Sequence, residues 1–157
     1  MRADKGLRPG TAPVSLSPMK LLQLNFIPRS ADLGLLVLRV WIGASMAVLH
    51  GWDKLTGFSK MSPQFLDFMG IGKGPSLALT VFAELACAAF LVLGLWTRLS
   101  ALVLGFAMGV AFWLAHGGKL SGQGSGEMAF LYLGACTVLF LAGGGRFSAD
   151  SSLGAKG

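Results

Sequence analysis

The chain has 157 residues, of which 54% are hydrophobic and only 13% are charged, and its formal net charge is +6. A charged fraction about half that of ordinary soluble domains argues against a soluble enzyme and against intrinsic disorder. The positive charge forms no basic face with interleaved aromatic residues, so the sequence does not favour nucleic-acid binding. Length and composition together predict an integral membrane protein of one domain.

The chain divides into a polar tail, a hydrophobic domain and a second tail. Residues 1–18 are polar and rich in Pro, Gly and Ser, and residues 1–30 are interpreted as a disordered or amphipathic N-terminal tail. Because Met19-Lys20 resembles a translation start, we expect residues 1–18 to be an optional extension. The hydrophobic domain and the C-terminal tail are residues 31–150 and 151–157.

Four hydrophobic segments are long enough to cross a bilayer as helices, which takes roughly 17–25 residues. They are residues 33–49, 77–96, 99–115 and 128–145. Only Thr97 and Arg98 separate the second span from the third, so we expect these two spans to form an antiparallel hairpin. The sequence therefore predicts an all-α fold, an integral membrane four-helix bundle.

Lys and Arg are distributed unequally over the two sides of this bundle. The side with both termini carries eight of them: Arg2, Lys5, Arg8, Lys20, Arg29, Arg98, Arg146 and Lys156. The opposite side carries four: Lys54, Lys60, Lys73 and Lys119. Because cytoplasmic loops of membrane proteins carry the excess of Lys and Arg, both termini are predicted to be cytoplasmic.

Two shorter segments allow more than one interpretation. Ser62-Pro63 is typical of a helix start, so the aromatic residues that follow form either a short interfacial helix or an irregular loop. Gly105 and Gly109 form a GxxxG pair in the third span, which favours close helix packing over a binding groove.

The first and third spans are related by a shift of 66 residues. This shift aligns His50-Gly51 with His116-Gly117, together with several apolar positions before them. Internal repeats of this kind are common in small membrane bundles. The alignment predicts that the two spans are parallel and that each ends on the outer face with a histidine.

Two ionisable residues lie inside the predicted spans, where a charge is costly unless it is paired or hydrated. Arg39 lies in the first span and Glu84 in the second, so each is a candidate functional residue. The two either pair or lie apart, because side chains on antiparallel helices lean in opposite directions. Arg39 and His50 share one face of the first helix, and Gly43 between them leaves room for a neighbour or ligand.

Polar residues also collect at the outer ends of the spans: His50, Asp53, His116, Glu127 and, somewhat deeper, Tyr132. Imidazole and carboxylate groups suit Zn, Fe or Mn, but no tight ligand spacing joins His50, His116 and Glu127, so no metal site is assigned. Two histidines on parallel helices are also compatible with a haem. The other interpretations are capping of helix ends by the histidines, and a hydrogen-bonding pocket for a polar ligand or quinone head group.

The order of these motifs resembles the DoxX family of small four-helix membrane proteins, over about residues 31–150. The motifs are Arg39, the segment His50–Leu55, Glu84, the turn Leu91–Arg98, His116, the segment Glu127–Leu133 and the exit Gly143–Asp150. The segment Ala86–Ala89 departs from the paired glycines of relatives, which weakens the expectation of a very close helix contact there.

The resemblance implies an accessory or quinone-interacting subunit of a membrane oxidoreductase in the bacterial inner membrane. We expect the chain to contact membrane lipid and to bind a protein partner or a second copy of itself. We do not expect it to bind nucleic acid. We expect a polar pocket inside the bundle, lined by Arg39, His50, Glu84, His116, Glu127 and Tyr132. The alternative functions are a non-enzymatic adaptor or chaperone for partner helices, and a small transporter. The sequence assigns no catalytic residue.

Overall fold

The computed structural model describes Leu22 and residues 30–154. The rest of the predicted tail of residues 1–30, including the proposed optional extension 1–18, lies outside the described residues, as do residues 155–157. The described part of the chain is helical and contains no strand. This agrees with the predicted all-α class.

Within residues 30–154 the chain forms four main helices and two short α-helices, together with a 3₁₀ turn at Ser62–Gln64. In chain order these helices are α1 (Ala31–Thr56), α2 (Phe58–Met61), α3 (Lys73–Leu93), α4 (Thr97–Ala115), α5 (Glu127–Ala142) and α6 (Ala149–Gly154). Of these, α1, α3 and α4 are long and apolar enough to cross a membrane, with 26, 21 and 19 residues. Helix α5 is equally apolar in character but has 16 residues. Helix α6 occupies part of the segment that was predicted as a C-terminal tail.

The four main helices form a ring in which α1 contacts α3, α3 contacts α4, α4 contacts α5, and α5 returns to α1. Helices α1 and α4 therefore face each other across the bundle and run in the same direction. Their apolar side chains meet in a core that includes Met46, Leu91, Leu104, Met108 and Leu139. The parallel direction of α1 and α4 agrees with the internal repeat.

Helix α1 is longer than predicted at its C-terminal end. It continues past His50 to Thr56, and Gly51 within this extension packs closely against α3. A Cβ atom at Gly51 would lie 2.6 Å from the carbonyl oxygen of Glu84, so a larger residue would separate the helices. The prediction that His50 ends its helix is wrong, whereas His116 does end α4.

The turn between α3 and α4 begins earlier than predicted. Helix α3 ends at Gly94, whose φ of +70° is favourable for glycine, and Trp96 has a φ of +45°. Helix α4 then begins at Thr97, so the predicted hairpin turn at Thr97 and Arg98 is wrong by three residues. We call the end of the bundle formed by this turn and residues 143–154 the hairpin end, and the opposite end, formed by residues 50–76 and 116–127, the cavity end.

A close contact also occurs near Ala88, where the sequence lacks the glycines of its relatives. The glycine is supplied by the facing helix: a Cβ atom at Gly43 of α1 would lie 2.6 Å from the carbonyl oxygen of Ala88. Gly43 and Gly51 thus bring the backbone of α1 against α3 at two levels. The two helices therefore pack closely near Ala88, and the expectation of looser packing there was wrong because it considered glycines on α3 alone.

Each of the three long helices contains a wide turn, in which hydrogen bonds span five residues instead of four. These turns are Ala47–Gly51 in α1, Phe82–Cys87 in α3 and Ala111–Ala115 in α4. Wide turns of this kind are rare and are often found at functional sites. All three contribute residues to one cavity near the cavity end of the bundle.

Candidate functional site

The cavity has a volume of about 630 Å³ and is enclosed by all four main helices together with the loop that precedes α3. Its polar lining comes from several elements: His50, Lys54, Gln64, Ser76, Thr80, Glu84, His116 and Tyr132. Cavities of 300–1,000 Å³ with apolar walls and a few polar groups are typical ligand sites. This cavity is therefore the candidate functional site.

The strongest electrostatic feature of the cavity is an ion pair between α1 and α3. Lys54 Nζ lies 2.6 Å from Glu84 Oε2, and the two side chains are 22% and 5% exposed. Glu84 lies in the wide turn of α3, and Gly51 brings the two backbones together one turn before Lys54. The close approach of the helices thus lets a lysine reach a carboxylate that is shielded from solvent.

A directed chain of hydrogen bonds lies beside this ion pair. The Tyr132 hydroxyl donates to Ser45 Oγ at 2.9 Å, and Ser45 Oγ donates to the carbonyl oxygen of Trp41 at 2.7 Å. The ring of His50 packs edge-on against the Tyr132 ring, with their centroids 5.8 Å apart. These contacts tie α5 to α1 and fix the orientation of two cavity-lining rings.

His116 lies where α4 ends and holds the loop that follows it. Its Nδ1 atom is 3.0 Å from the carbonyl oxygen of Gly124, so Nδ1 carries the hydrogen in this contact. The backbone N–H of His116 donates to the carbonyl oxygen of Ala111 within the wide turn. His116 therefore combines the predicted helix-end role with a place in the cavity wall.

The lining away from these polar groups is apolar and reaches the outer surface of the bundle. Helix α4 packs mainly against the Phe82–Leu93 part of α3, so the two helices diverge toward the cavity end. Leu79, Phe82 and Phe106 line the cavity and are each more than half exposed. Across this opening, Phe68 of the preceding loop packs edge-on against Phe106. The cavity thus has one polar side and one apolar side that faces outward.

The structure brings together His50, Glu84, His116 and Tyr132, four of the six predicted pocket residues. Arg39 and Glu127 do not line the cavity. Glu127 is exposed in the first turn of α5, on the surface rather than toward the cavity. Across the described residues, no group of three or more His, Cys, Asp or Glu side chains lies together, and the structure gives no support to a metal centre.

Arg39 lies at the hairpin end, where it binds backbone carbonyl groups instead of a carboxylate. Its Nη1 atom donates to the carbonyl oxygens of Leu91 and Val92, at 3.3 and 2.6 Å, and Nη2 donates to that of Phe147. Leu91 and Val92 belong to the last turn of α3, whose carbonyl groups have few partners within the helix. A cation there also interacts favourably with the helix dipole.

The predicted alternative of an Arg39–Glu84 ion pair is therefore wrong. Arg39 binds the C-terminus of α3, roughly two helical turns from Glu84, which pairs with the ammonium group of Lys54 instead. Lys54 was not predicted as a site residue, because the first span was predicted to end at Leu49. The signal was present in the four-residue spacing of His50 and Lys54, which puts both on one helical face.

A second, shallower apolar groove lies between α4 and α5 on the outer surface. It has a volume of about 480 Å³ and is lined by residues that include Gly105, Gly109, Leu133 and Thr137. Gly105 packs closely on α5, since its Cβ atom would lie 3.2 Å from Cys136 Cβ, whereas Gly109 faces open space. Only half of the predicted GxxxG pair therefore serves helix packing inside the chain.

Comparison with known proteins identifies one family. The family model described as DoxX matches residues 34–117, more than half of the chain, and this confirms the resemblance inferred from the motifs. The matched region includes α1, α3 and α4 and most of the polar cavity residues. No curated protein and no solved structure matches the chain.

Proposed function

Because the chain belongs to the DoxX family, we propose that it is a quinone-interacting accessory subunit of a membrane oxidoreductase complex. Its apolar helices make it a multi-pass membrane protein. The proposal assigns it to the bacterial inner membrane, with both termini in the cytoplasm. In this role the cavity holds the head group of a lipid-soluble quinone, and a partner subunit carries the electrons.

The observation that carries the proposal is the two-sided cavity. A quinone has a polar ring and an apolar tail, and the cavity offers polar groups on one side and an outward-facing apolar opening on the other. His50, Tyr132 and the Lys54–Glu84 pair surround the polar side. The opening between α3 and α4 gives the tail a direct route to the surrounding lipid. The shape and polarity of the cavity therefore match an amphipathic ligand that arrives from the membrane.

The accessory role rests on the chemistry of the lining side chains. Histidine, glutamate, lysine and tyrosine bind ligands and move protons, whereas electron transfer in such complexes is a task of cofactors. The two described cysteines, Cys87 and Cys136, are both buried and are not part of the cavity lining. We therefore assign binding and proton handling to this chain and electron transfer to its partner.

Equilibrium dialysis of the purified full chain in detergent tests the proposal, with a decyl-tailed ubiquinone analogue in its oxidised and reduced forms. We expect at least one form to bind the wild-type protein. His50→Ala is expected to weaken binding about three- to tenfold, the effect of losing one hydrogen bond and a ring contact. Native mass spectrometry of the same sample reports bound ligand and associated subunits together.

Glu127→Gln provides the control for this experiment, because Glu127 is exposed and does not line the cavity. It is expected to bind the analogue like the wild type. Failure of both redox forms to bind the folded wild-type protein contradicts the proposal. Equal binding by His50→Ala and the wild type removes His50 from the site.

A second candidate function, an adaptor for partner helices, is favoured by the groove between α4 and α5. Gly109 leaves an open notch on the outer face of α4, and small residues at such positions let another helix approach closely. The variant Gly109→Leu fills this notch without touching the polar cavity. Loss of a co-purifying subunit in Gly109→Leu, with quinone binding unchanged, is the result expected of an adaptor.

A further inference from the structure

The carboxylate of Glu84 uses only one of its oxygens in the structure. Oε2 pairs with Lys54 Nζ, whereas Oε1 accepts no hydrogen bond from any residue within the described part of the chain. Glu84 is 4% exposed and lines the cavity. Oε1 is therefore an open acceptor in the cavity lining, and it marks a position where a bound ligand can donate a hydrogen bond to a charged group.

The partner that Oε1 accepts must be a hydrogen-bond donor. A carboxylate in an ion pair is ionised, and an ionised carboxylate only accepts. Its charge is already matched by Lys54, so a neutral donor such as a hydroxyl group suits this position better than a second cation. A carbonyl oxygen on the ligand has no hydrogen to offer Oε1.

The hydroxyl groups that line the cavity also have their hydrogens committed elsewhere. Tyr132 donates to Ser45, Ser76 donates to the carbonyl oxygen of Gly72, and Thr80 donates to the carbonyl oxygen of Ser76. Their oxygen atoms remain available only as acceptors toward the cavity. In its neutral form, His116 has its hydrogen on Nδ1, which faces Gly124, and this leaves Nε2 as an acceptor as well.

Donors toward the cavity remain on Lys54, which uses one ammonium hydrogen on Glu84, and on Gln64 and His50, and either redox form of a quinone can accept from them. Because only the reduced, hydroxyl-bearing form can also donate to Glu84 Oε1, we infer that the cavity prefers this form, the quinol, to the oxidised form. The inference rests on the proposed function and makes it more specific. A quinol donates through its hydroxyl groups, whereas the oxygens of a quinone are carbonyl groups that only accept. Glu84 Oε1 is the acceptor that distinguishes the two forms most strongly, because hydrogen bonds to charged groups are the stronger ones.

The test measures the affinity of the full chain for the decyl-tailed ubiquinone analogue in both redox forms, by anaerobic equilibrium dialysis in detergent. We expect the wild-type protein to bind the quinol about tenfold or more tightly than the quinone, the effect of one hydrogen bond to a charged acceptor. In Glu84→Gln the amide both donates and accepts, so the two affinities should become similar. Glu127→Gln makes the same chemical change at an exposed position and should keep the wild-type preference.

A double variant protects the test against a folding defect in Glu84→Gln. Lys54→Gln with Glu84→Gln replaces the ion pair by two amides that can bond to each other, and it leaves no buried charge unpaired. We expect this variant to fold and to have lost the preference. If the wild type binds both forms equally, or prefers the quinone, the inference is overturned while the proposed function stands. Retention of the preference in both Glu84 variants also overturns it, and binding of neither form refutes both.

Discussion

Two charged residues inside the bundle are stabilised by different means. Arg39 is 2% exposed and donates to carbonyl groups at the end of α3, while Glu84 is 4% exposed and pairs with Lys54. Each arrangement offsets the cost of burying a charge, but the two networks share no residue. Their contributions to stability should therefore be independent.

Double-mutant cycles on thermal unfolding in detergent test this independence. Lys54→Met and Glu84→Gln should each destabilise the protein, and their combination should cost less than the sum, with a coupling of about 0.5–3 kcal/mol. Arg39→Met should destabilise strongly because it removes the donor that the side chain provides to the partly buried carbonyl groups of Val92 and Phe147. Combined with Glu84→Gln it should be additive within about 0.5 kcal/mol. A coupling energy between Arg39 and Glu84 as large as the one expected between Lys54 and Glu84 would contradict the separation of the two networks.

The sequence identified four cavity residues because polar side chains at membrane depth are conspicuous among apolar neighbours. His50, Glu84, His116 and Tyr132 were found in this way. The partners of Arg39 were not, because they are backbone carbonyl groups, and every residue carries one. Lys54 was counted only as a charge outside the first span, since a lysine next to a predicted helix end resembles any solvated loop residue.

At the scale of helices, the contact between α1 and α3 decides the geometry of the cavity. Gly43 and Gly51 let the two backbones meet at Ala88 and Glu84, and this sets the distance that the Lys54 side chain must cross. The hydrophobic pattern predicted the four main helices, and the repeat predicted that α1 and α4 run in the same direction. They did not predict the length of α1 or the wide turns, because the hydrophobic composition of a segment does not show where its helix ends or how its backbone hydrogen bonds are spaced.

Gly51→Ala tests the importance of this helix contact. The added Cβ atom would lie 2.6 Å from the carbonyl oxygen of Glu84, so α1 must move away from α3. We expect a loss of stability of about 1–3 kcal/mol, as for other overpacked interiors, together with weaker ligand binding in the cavity. The measurements are the thermal unfolding midpoint in detergent and the dialysis affinity.

Gly109→Ala is the matched control, because Gly109 also lies within a long helix but its Cβ atom would meet nothing within 4 Å. It should leave the unfolding midpoint unchanged or raise it slightly, since Ala favours helix over Gly by up to about 1 kcal/mol. If Gly51→Ala and Gly109→Ala lower the unfolding midpoint equally, the loss of stability in Gly51→Ala does not come from the α1–α3 contact.

For the whole molecule, the two ends of the bundle have different chemistry. The hairpin end is closed by polar contacts: Arg39 binds Phe147, and the Asp150 carboxylate accepts the backbone N–H groups of Trp96 and Thr97 at the start of α4. The cavity end carries the ion pair, the histidines and the loop before α3. The hairpin end is thus closed by hydrogen bonds between its own groups, whereas the cavity end offers polar groups to a ligand.

The excess of Lys and Arg predicts that the hairpin end is cytoplasmic, and cysteine labelling tests this prediction. Gln123 and Ser152 are both exposed and lie at opposite ends, and the native Cys87 and Cys136 are buried, so the background should be low. A membrane-impermeant thiol reagent applied outside intact cells should label Gln123→Cys and not Ser152→Cys. The reverse pattern would invert the topology, and labelling after membrane disruption serves as the accessibility control.

The wide turns have a further consequence, which concerns rotation. Each residue of a regular α-helix advances the side-chain direction by about 100°, so one extra residue in a turn changes the direction of everything beyond it. In α1 the stripe with Arg39, Gly43 and Met46 points into the core before the wide turn, and Lys54 follows after it. The wide turns of α1 and α3 contact each other, so these two helices change the direction of their side chains at the same level, where the apolar packing of the bundle gives way to the cavity. A single helix can thus direct one set of side chains into the apolar core before its wide turn and a different set into the cavity after it.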